Sequence, residues 1–430
     1  MPAASEAFGP LEEDARRLDA ADPLRGYRER FHVPALPDGR SVAYFCGNSL
    51  GLQPKRARDL LVEELDEWRR RAVNGHFEGA RPWFAYHEQF REPAARLIGA
   101  LPSEVVTMNS LTVNLHLLMV SFYRPTRERF KILMEEPAFP SDTYAAQSQL
   151  RFHGFDLAAG LLRLRPREGE AALRTEDILA RIETEGASIA LVLLGGVNFV
   201  TGQWFDMPRI TEAARRAGCT VGWDLAHAAG NVPLRLHDWG ADFAAWCSYK
   251  YLNAGPGAVA GCFVHERHAR SPDLVRFAGW WGNDPATRFR MQLNETFVPR
   301  EGADGWQISN PPIFALAPLL ASLELFDAAG MDALRAKSLR LTGYLEFLLD
   351  RLPAGFIEVA TPRDPARRGC QLSIRVPGRA KALRARLEAA GVVCDFREPD
   401  TLRVAPAPLY NSFHDVWRFA RELADEGAHA

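Results

Sequence analysis

The stretch "SIALVLLGGVNFVTGQWFDMPRITEAARRAGCTVGWDLA", residues 188–226, decides the fold. It begins with a continuous apolar run, passes through a polar segment whose apolar residues have helical spacing, and ends in a second apolar run. Short continuous apolar runs are typical of strands buried on both faces of a parallel sheet, and this order forms a βαβ unit. Because "RFKILMEE" and "GAVAGCFVH" extend the same alternation on either side, we predict an α/β domain with a mainly parallel sheet.

The C-terminal part of the sequence predicts a second, smaller domain. "SNPPIFALAP" (309–318) opens a long helical stretch that Pro353 ends, and beyond it shorter strands and helices alternate in an α+β pattern. We predict that residues 1–60 form an N-terminal segment joining the small domain. Residues 61–315 then form the large ligand-binding domain, and residues 316–430 a linking helix and the small domain.

Composition excludes several classes of function. A formal net charge of -2 leaves no basic surplus for nucleic acid, and the apolar runs are shorter than a membrane-spanning helix needs. The N-terminus does not resemble a signal peptide, and the six cysteines are scattered without a C-x-x-C pair, as is usual for reduced thiols. We expect a cytoplasmic globular enzyme that binds neither nucleic acid nor a membrane.

The ends of the predicted strands carry the chemically useful side chains. Ligands of open α/β sheets bind beyond the carboxyl ends of the strands. After "EVVTM", a helix begins with Asn109, Ser110 and Thr112, whose hydroxyls and free N–H groups suit a phosphate, although either of the first two could be a plain N-cap. Three further strand ends carry an aromatic and a carboxylate (Phe139, Asp142), a carboxylate and an imidazole (Asp224, His227), and a phenol and an amine (Tyr249, Lys250).

These four groups together predict a pyridoxal phosphate site. Lysine is rarely buried unless it is paired or chemically used, and "CSYKYLNAGPG" places Lys250 between an apolar run and a glycine-rich turn. Such a site needs a phosphate cradle, an aromatic to stack on the ring, a lysine for the Schiff base and an aspartate to keep the ring nitrogen protonated. Each group alone has an ordinary structural explanation, but their combination favours the cofactor.

Three short motifs point to other chemistry. "GPGAVAG" (255–261) imitates a dinucleotide fingerprint, but its glycine spacing is wrong and a strand follows it. "GNSLG" (47–51) matches the nucleophile elbow of hydrolases, so a serine hydrolase using Ser49 stays a remote alternative, although "LQP" separates the motif from the next helix. "HERH" (265–268) has no evident third ligand, and we predict no metal site.

The sequence resembles the kynureninases, a family of fold type I pyridoxal phosphate enzymes, over nearly its whole length. The resemblance rests on the motifs "FCGNSLGLQP", "MNSLTVNLHLLM", "AFPSD", "GVNFVTGQ", "DLAHAAGNVPL", "WCSYKYLNAGPG", "GWWG", "ISNPPI" and "RVAPAPLYNSFHD". It implies hydrolysis of L-kynurenine or 3-hydroxy-L-kynurenine to anthranilate or 3-hydroxyanthranilate and L-alanine. It also implies a cytoplasmic homodimer acting in tryptophan degradation and NAD biosynthesis. A cysteine desulfurase or another class V aminotransferase-like enzyme is the alternative, but no cysteine lies in an evident mobile loop.

The resemblance also assigns roles to individual residues. Lys250 carries the cofactor and removes the α-proton, Asp224 holds the ring nitrogen, and Tyr249 reaches the phosphate and relays protons. Where some relatives have a serine near the cofactor, this chain has Gly195, which puts one polar contact in doubt. The other implied cofactor ligands are Leu111, Thr112, Phe139, Pro140, Ser141, Asp142 and His227, with Trp280 and Asn310 usually supplied by the partner subunit.

Four residues are expected to bind the substrate. Arg403 matches the arginine that binds the α-carboxylate. His76, Ser309 and Asn310 match polar residues of the family's animal members, at the end of the site that holds the aromatic ring. A hydrogen-bonding set there predicts that 3-hydroxykynurenine is a competent and slightly preferred substrate. The alternative is that His76 hydrogen-bonds within its own loop and that Ser309 only starts the following segment.

Overall fold

The computed structural model describes residues 8–269, 271 and 274–427, which contain fifteen strands and thirteen α-helices. The strands are β1 (Phe31–His32), β2 (Ala43–Tyr44), β3 (Gln53–Pro54), β4 (Val105–Thr107), β5 (Lys131–Glu135), β6 (Leu161–Leu164), β7 (Ile189–Gly195), β8 (Thr220–Asp224), β9 (Phe243–Trp246), β10 (Gly261–Val264), β11 (Glu358–Val359), β12 (Leu372–Arg375), β13 (Val392–Val393), β14 (Asp395–Arg397) and β15 (Thr401–Val404). The helices are α1 (Glu12–Ala20), α2 (Lys55–Arg71), α3 (Arg91–Ile98), α4 (Leu111–Phe122), α5 (Pro140–Phe152), α6 (Leu157–Gly160), α7 (Thr175–Glu185), α8 (Met207–Arg216), α9 (Leu236–Trp239), α10 (Ile313–Ala329), α11 (Met331–Leu349), α12 (Ala380–Ala389) and α13 (Phe413–Gly427).

The large sheet has seven strands in the order β4-β10-β9-β8-β7-β5-β6. Its strand pairs are parallel except those of β10, which is antiparallel to both β4 and β9. Helices cover both faces, with the buried residues of α7, α8 and α10 contributing to one core and those of α4 and α5 to the other. The α/β prediction, with a mainly parallel sheet, is confirmed.

The βαβ unit of residues 188–226 forms for local reasons. Six of the seven residues of β7 are buried, as expected for a central strand. Helix α8 begins where the Asp206 side chain accepts a hydrogen bond from the Arg209 N–H, and Pro208 lies in its first turn, where proline is tolerated. Gly218 (φ +74°) follows its end and turns the chain into β8. Asp224 therefore comes at the carboxyl end of a strand in the middle of the sheet.

The small unit is an antiparallel sheet, β11-β12-β15-β14, with helices packed against it. Its core contains residues of α11, α12 and α13 together with Ala15 and Leu18 of α1 and Phe45. The N-terminal segment thus packs on the C-terminal unit. We retain residues 1–60, 61–315 and 316–430 as the proposed division of the chain.

The long helical stretch that the sequence predicts after residue 309 is divided into two helices. Gly330 (φ +76°) separates α10 from α11, and their axes differ by 83°. In the described part of the chain, no single helix is long and apolar enough to cross a membrane; α10 and α11 meet that test only as a bent pair.

Candidate active site

The starts of two helices meet where the phosphate was predicted. Helix α4 begins at Leu111, and its N-cap residue Ser110 makes no side-chain capping hydrogen bond, so the plain N-cap explanation does not account for this serine. The hydroxyls of Thr112 and Ser141 are 2.9 Å apart, which joins the first turn of α4 to that of α5, beginning at Pro140. The free backbone N–H groups in the first turn of α4, together with the Thr112 and Ser141 hydroxyls, fit an anion.

Lys250 lies buried beside this pair of helix starts. The residue is only 8% exposed. Its Nζ lies 5.5 Å from the centre of the Phe139 ring and 6.0 Å from the centre of the Tyr249 ring. Among the described residues, no hydrogen bond or ion pair involves this Nζ. Burial, and next the neighbouring Cys247, raise the pKa of the Tyr249 hydroxyl, which therefore keeps its proton at neutral pH.

Three buried carboxyl groups lie near the lysine, two at the ends of β5 and β8 and one in the first turn of α5. Asp224, at the end of β8, accepts a 2.8 Å hydrogen bond from the Ala226 N–H. Burial, and then the Asp224 carboxylate, raise the pKa of Asp142 well above its usual range, and the Oδ1 of Asp142 has no partner. Burial raises the pKa of Glu135 to about 7, although it accepts a 3.1 Å hydrogen bond from the Gly195 N–H. Sequence reasoning missed Glu135, for which the only signal was an acidic residue ending an apolar strand.

His227 adds a neutral imidazole to this group. It is 5% exposed, and burial, followed by the charge of Lys250, lowers its pKa well below the usual value. Its Nδ1 is buried without a hydrogen-bond partner. A neutral ring with an unused polar atom is suited to contact a bound ligand.

The arginine of the small unit reaches the same place. Arg403, on β15, is 1% exposed, and its Nη1 donates a 2.7 Å hydrogen bond to the Phe199 carbonyl. The Phe199 ring packs edge-on against Phe139, with centroids 5.3 Å apart, and Phe139 in turn lies beside Lys250. The residues Phe199 and Phe139 therefore connect the arginine to the lysine.

The turn at "GNSLG" packs against the lysine segment and does not form a nucleophile elbow. Ser49 is exposed in a turn, no α-helix begins directly after it, and α2 starts only at Lys55. The N–H of Gly51 donates a 2.8 Å hydrogen bond to the Tyr249 carbonyl. A Cβ at Gly51 would lie 2.4 Å from the Lys250 carbonyl oxygen, so glycine is required by this close approach.

Comparison with known proteins identifies the family. The model of the "Kynureninase C-terminal domain" matches residues 334–423. A protein named kynureninase from Myxococcus xanthus is 63% identical over 97% of each chain, and one from Koribacter versatilis is 58% identical over 98% of this chain and 99% of that protein. This chain belongs to the kynureninase family.

Solved structures with a similar fold are more distant relatives of this kynureninase-family chain. The apo cysteine desulfurase of Thermococcus onnurineus superposes with a TM-score of 0.73 over 100% of both chains at 19% identity. A mutant of C-DES with glycine covalently linked to its PLP cofactor gives 0.74 over 92% of this chain and 98% of that one, at 18% identity. At such identities the likeness shows the fold, which is that of fold type I pyridoxal phosphate enzymes.

The residues at the kynureninase-family site fit pyridoxal phosphate. The joined helix starts suit the phosphate, the buried amine of Lys250 suits a Schiff base, and Asp224 suits a protonated ring nitrogen. The buried Oδ1 of Asp142 and Nδ1 of His227 are polar atoms without protein partners, to which the polar groups of a bound cofactor would give partners.

The other residues that the family assigns to the site lie at the surface of the single chain. Trp280 is 36% exposed against Trp281, and the Ser309 hydroxyl donates a 3.1 Å hydrogen bond to the Asn310 side chain. His76 is exposed, and its ring packs edge-on against Trp83 at 5.4 Å. Within the described ranges, no hydrogen bond or ring contact joins these residues to Lys250, so their roles remain predictions.

The motif "HERH" contributes one of its histidines, His265, to a cluster of three possible metal ligands, and the absence of a metal site stays a prediction. The structure brings Glu104 and His237 to His265, with one polar atom of each within 4.8 Å of the others. Hydrogen bonds of the fold explain the cluster, because Glu104 accepts from the His237 ring at 3.0 Å and from the N–H groups of Leu101 and Glu266 at 2.8 Å. Sequence reasoning missed it because residues 104, 237 and 265 are far apart in the chain.

Proposed function

We propose that this chain hydrolyses the Cβ–Cγ bond of L-kynurenine or 3-hydroxy-L-kynurenine, giving L-alanine and anthranilate or 3-hydroxyanthranilate, with pyridoxal 5'-phosphate as its cofactor. The observation that carries the proposal is a buried lysine accompanied by a buried carboxylate at a strand end and a buried arginine, in a chain 63% identical to a protein named kynureninase. Such a site needs an amine for the Schiff base, a carboxylate partner for the ring nitrogen of the cofactor and a cation that binds the substrate's carboxylate.

Lys250 and Asp224 are proposed as the groups that act on the cofactor and on the α-carbon. Bound pyridoxal phosphate supplies an electron-withdrawing ring that stabilises negative charge at the substrate's α-carbon. The Lys250 Nζ would hold the cofactor; once free, it would take the proton from Cα and give a proton back to Cα after the Cβ–Cγ bond has broken. The Asp224 carboxylate would hold the ring nitrogen of the cofactor in its protonated form. Burial and the neighbouring Asp224 raise the pKa of Asp142. We therefore assign the negative charge to the Asp224 carboxylate and not to Asp142.

Arg403 is proposed to act on the α-carboxylate of the substrate, and Tyr249 on its γ-carbonyl. The planar guanidinium of Arg403 binds the α-carboxylate and so fixes the orientation of Cα beside Lys250. Tyr249, whose hydroxyl keeps its proton because burial raises its pKa, relays protons when water adds to the γ-carbonyl. Direct binding of the phosphate by Tyr249 is the alternative role.

We further propose a homodimer in the cytoplasm that serves tryptophan degradation and NAD biosynthesis. Each chain would offer its Trp280 and Asn310 to the cofactor of the other, with His76 and Ser309 beside the substrate ring. Exposed aromatic side chains near these residues support a covering partner: Phe77 is 61% exposed and packs at 5.9 Å on Phe289, itself 56% exposed.

A cysteine desulfurase is the less favoured function. Such an enzyme needs an accessible cysteine with a lowered pKa. Five of the six cysteines are buried, and burial raises the pKa of the half-buried Cys46 thiol to about 11. The thiols of this chain are therefore poorly suited to sulfur transfer.

The test is a direct assay of both substrates. Purified protein loaded with cofactor is incubated with L-kynurenine and, separately, with 3-hydroxy-L-kynurenine, and alanine and the aromatic acid are quantified. We expect equimolar products from at least one substrate. Protein that shows the absorbance of the bound cofactor but forms no product from either substrate would contradict the proposal.

A further inference from the structure

A carboxylate of the chain itself lies against the arginine that we assign to the substrate. Strands β14 and β15 are antiparallel, and their register places Asp395 directly opposite Arg403. The Oδ2 of Asp395 pairs with the Nη2 of Arg403, and the same oxygen accepts a 3.2 Å hydrogen bond from the Nη2 of Arg397. One carboxylate oxygen is thus shared by two guanidinium groups.

The two guanidinium groups differ in how firmly they are held. The side chain of Arg403 is 1% exposed, and the Phe199 carbonyl fixes its Nη1. The side chain of Arg397 is 43% exposed, and β14, which carries both Arg397 and Asp395, is the edge strand of the small sheet. Asp395 and Arg397 can therefore rearrange while Arg403 stays in place.

Each guanidinium also keeps one donor unused. The Nε atoms of Arg403 and Arg397 are both buried and have no hydrogen-bond partner in the described part of the chain. A buried donor without an acceptor is costly, so both atoms gain from an additional carboxylate oxygen. Asp395 alone cannot supply both.

We propose that Asp395 is a displaceable carboxylate, which the substrate's α-carboxylate replaces on Arg403 and which then pairs with Arg397 alone. This inference rests on the role proposed above for Arg403. Two carboxylates and two guanidiniums would then form two complete pairs, with Arg403 Nε serving the substrate and Arg397 Nε serving Asp395. The pairing with Asp395 also keeps a buried guanidinium from being left without a counter-ion, which is strongly unfavourable.

A different role for Asp395 gives the opposite result in an experiment. If Asp395 only orients Arg403, its removal weakens the binding of a carboxylate. If Asp395 is displaced, its removal abolishes a competitor and strengthens that binding. Asp395→Asn keeps the shape of the side chain and removes the charge, so it separates the two roles.

The experiment measures inhibition of the cofactor-loaded enzyme by 4-(2-aminophenyl)-4-oxobutanoate. This analogue has the carboxylate, the ketone and the aminophenyl ring of kynurenine but no α-amine, so its inhibition constant reports Arg403 without covalent binding to the cofactor. For Asp395→Asn we expect an inhibition constant about five- to tenfold lower than that of wild type, as for the loss of one competing charged contact. For Arg397→Met, which leaves Asp395 without its second partner, we expect an inhibition constant about five- to tenfold higher.

The matched control is Asp400→Asn, which removes a carboxylate paired with Arg375 at 3.2 Å in the same sheet and should leave the constant unchanged. An unchanged or higher constant for Asp395→Asn overturns the proposal. If thermal melting shows that Asp395→Asn does not fold, Arg397→Met decides, and an unchanged constant there overturns it. Wild type that neither binds the analogue nor cleaves kynurenine refutes the proposed function itself, whereas variants that keep the constant of an active wild type refute only the displacement.

Discussion

Replacing Glu135 by glutamine should stabilise the protein at alkaline pH and not at acid pH. Glu135 is buried at the end of β5, and burial raises its pKa from 4.5 to about 7, with the Asp224 carboxylate adding to the rise. Glutamine has a similar shape and can still accept the 3.1 Å hydrogen bond from the Gly195 N–H. The variant therefore removes a titrating group with little change in packing.

The size and sign of the effect follow from the two pKa values. Below pH 4.5 Glu135 is protonated in both the folded and the unfolded chain, so it adds no pH dependence. As the pH rises from 4.5 to about 7, the unfolded chain releases the proton while the folded chain keeps it, and the folded state loses stability. Because a tenfold difference in ionisation corresponds to about 1.4 kcal/mol, the loss above pH 8 is on the order of 3 kcal/mol.

The measurement is the free energy of unfolding in urea, for wild type and Glu135→Gln, at pH 5 and pH 8.5. Both proteins are stripped of cofactor, because a bound ring would change the charge near Asp224. We expect the variant to gain about 2 to 3 kcal/mol relative to wild type between the two pH values. Glu183→Gln, at an exposed position, is the control and should gain nothing. An equal stability difference at both pH values would refute the reasoning.

Three further predictions concern turnover. Lys250→Ala should lower kcat more than about a thousandfold, because both the covalent link and the base are lost, and multiple turnovers by this variant would contradict the assignment. Arg403→Lys should raise KM about tenfold or more and leave the cofactor absorbance unchanged, since lysine cannot form the planar bidentate pair; reduced stability with unchanged kcat/KM would instead indicate a structural role. The double variant His76→Trp, Asn310→Thr should shift the ratio of the two kcat/KM values towards kynurenine and away from 3-hydroxykynurenine. If the wild type strongly prefers kynurenine and the ratio does not change in the variant, the proposed hydrogen-bonding set at the aromatic ring is refuted.

Much of the large domain could be predicted because its strands are buried on both faces. Continuous apolar runs such as Ile189–Gly195 are distinct from helix patterns, and the polar helices between them have clear beginnings. The antiparallel direction of β10 could not be predicted, because a buried run is equally apolar in either direction. The break at Gly330 was missed because helical spacing continues on both sides of it.

The residues alone predicted site groups at or soon after strand ends, whereas Arg403, inside β15, was predicted only from the family resemblance. Asp224 and Lys250 were found in this way, since the carboxyl ends of parallel strands share one edge of the sheet. Glu135, Gly51 and Asp395 were missed, because their importance lies in contacts with residues far away in the sequence. The contact of Glu135 with Gly195 also gives a physical meaning to that glycine: a Cβ there would lie 2.9 Å from the Glu135 Oε1.

The motif "GVNFVTGQ" contributes to the site through its backbone. Its carbonyl groups receive hydrogen bonds from the small unit: Phe199 from Arg403, Val200 from the Ser373 hydroxyl and Thr201 from the Thr361 hydroxyl.

The path of that backbone is itself held in place. The Asn198 Oδ1 accepts 3.0 Å hydrogen bonds from the N–H groups of Val200 and Thr201, and Gly202 (φ +72°) turns the chain where a Cβ would lie 2.8 Å from the Gln371 carbonyl oxygen. Because a main-chain carbonyl is present whatever side chain stands there, Arg403 depends on the shape of this loop more than on its side chains. The shape depends on the side chain of Asn198 and on the glycine at 202, whereas the Phe199 side chain packs on Phe139. Substitution of Asn198 or Gly202 should therefore displace the Arg403 side chain, although Arg403 itself is unchanged.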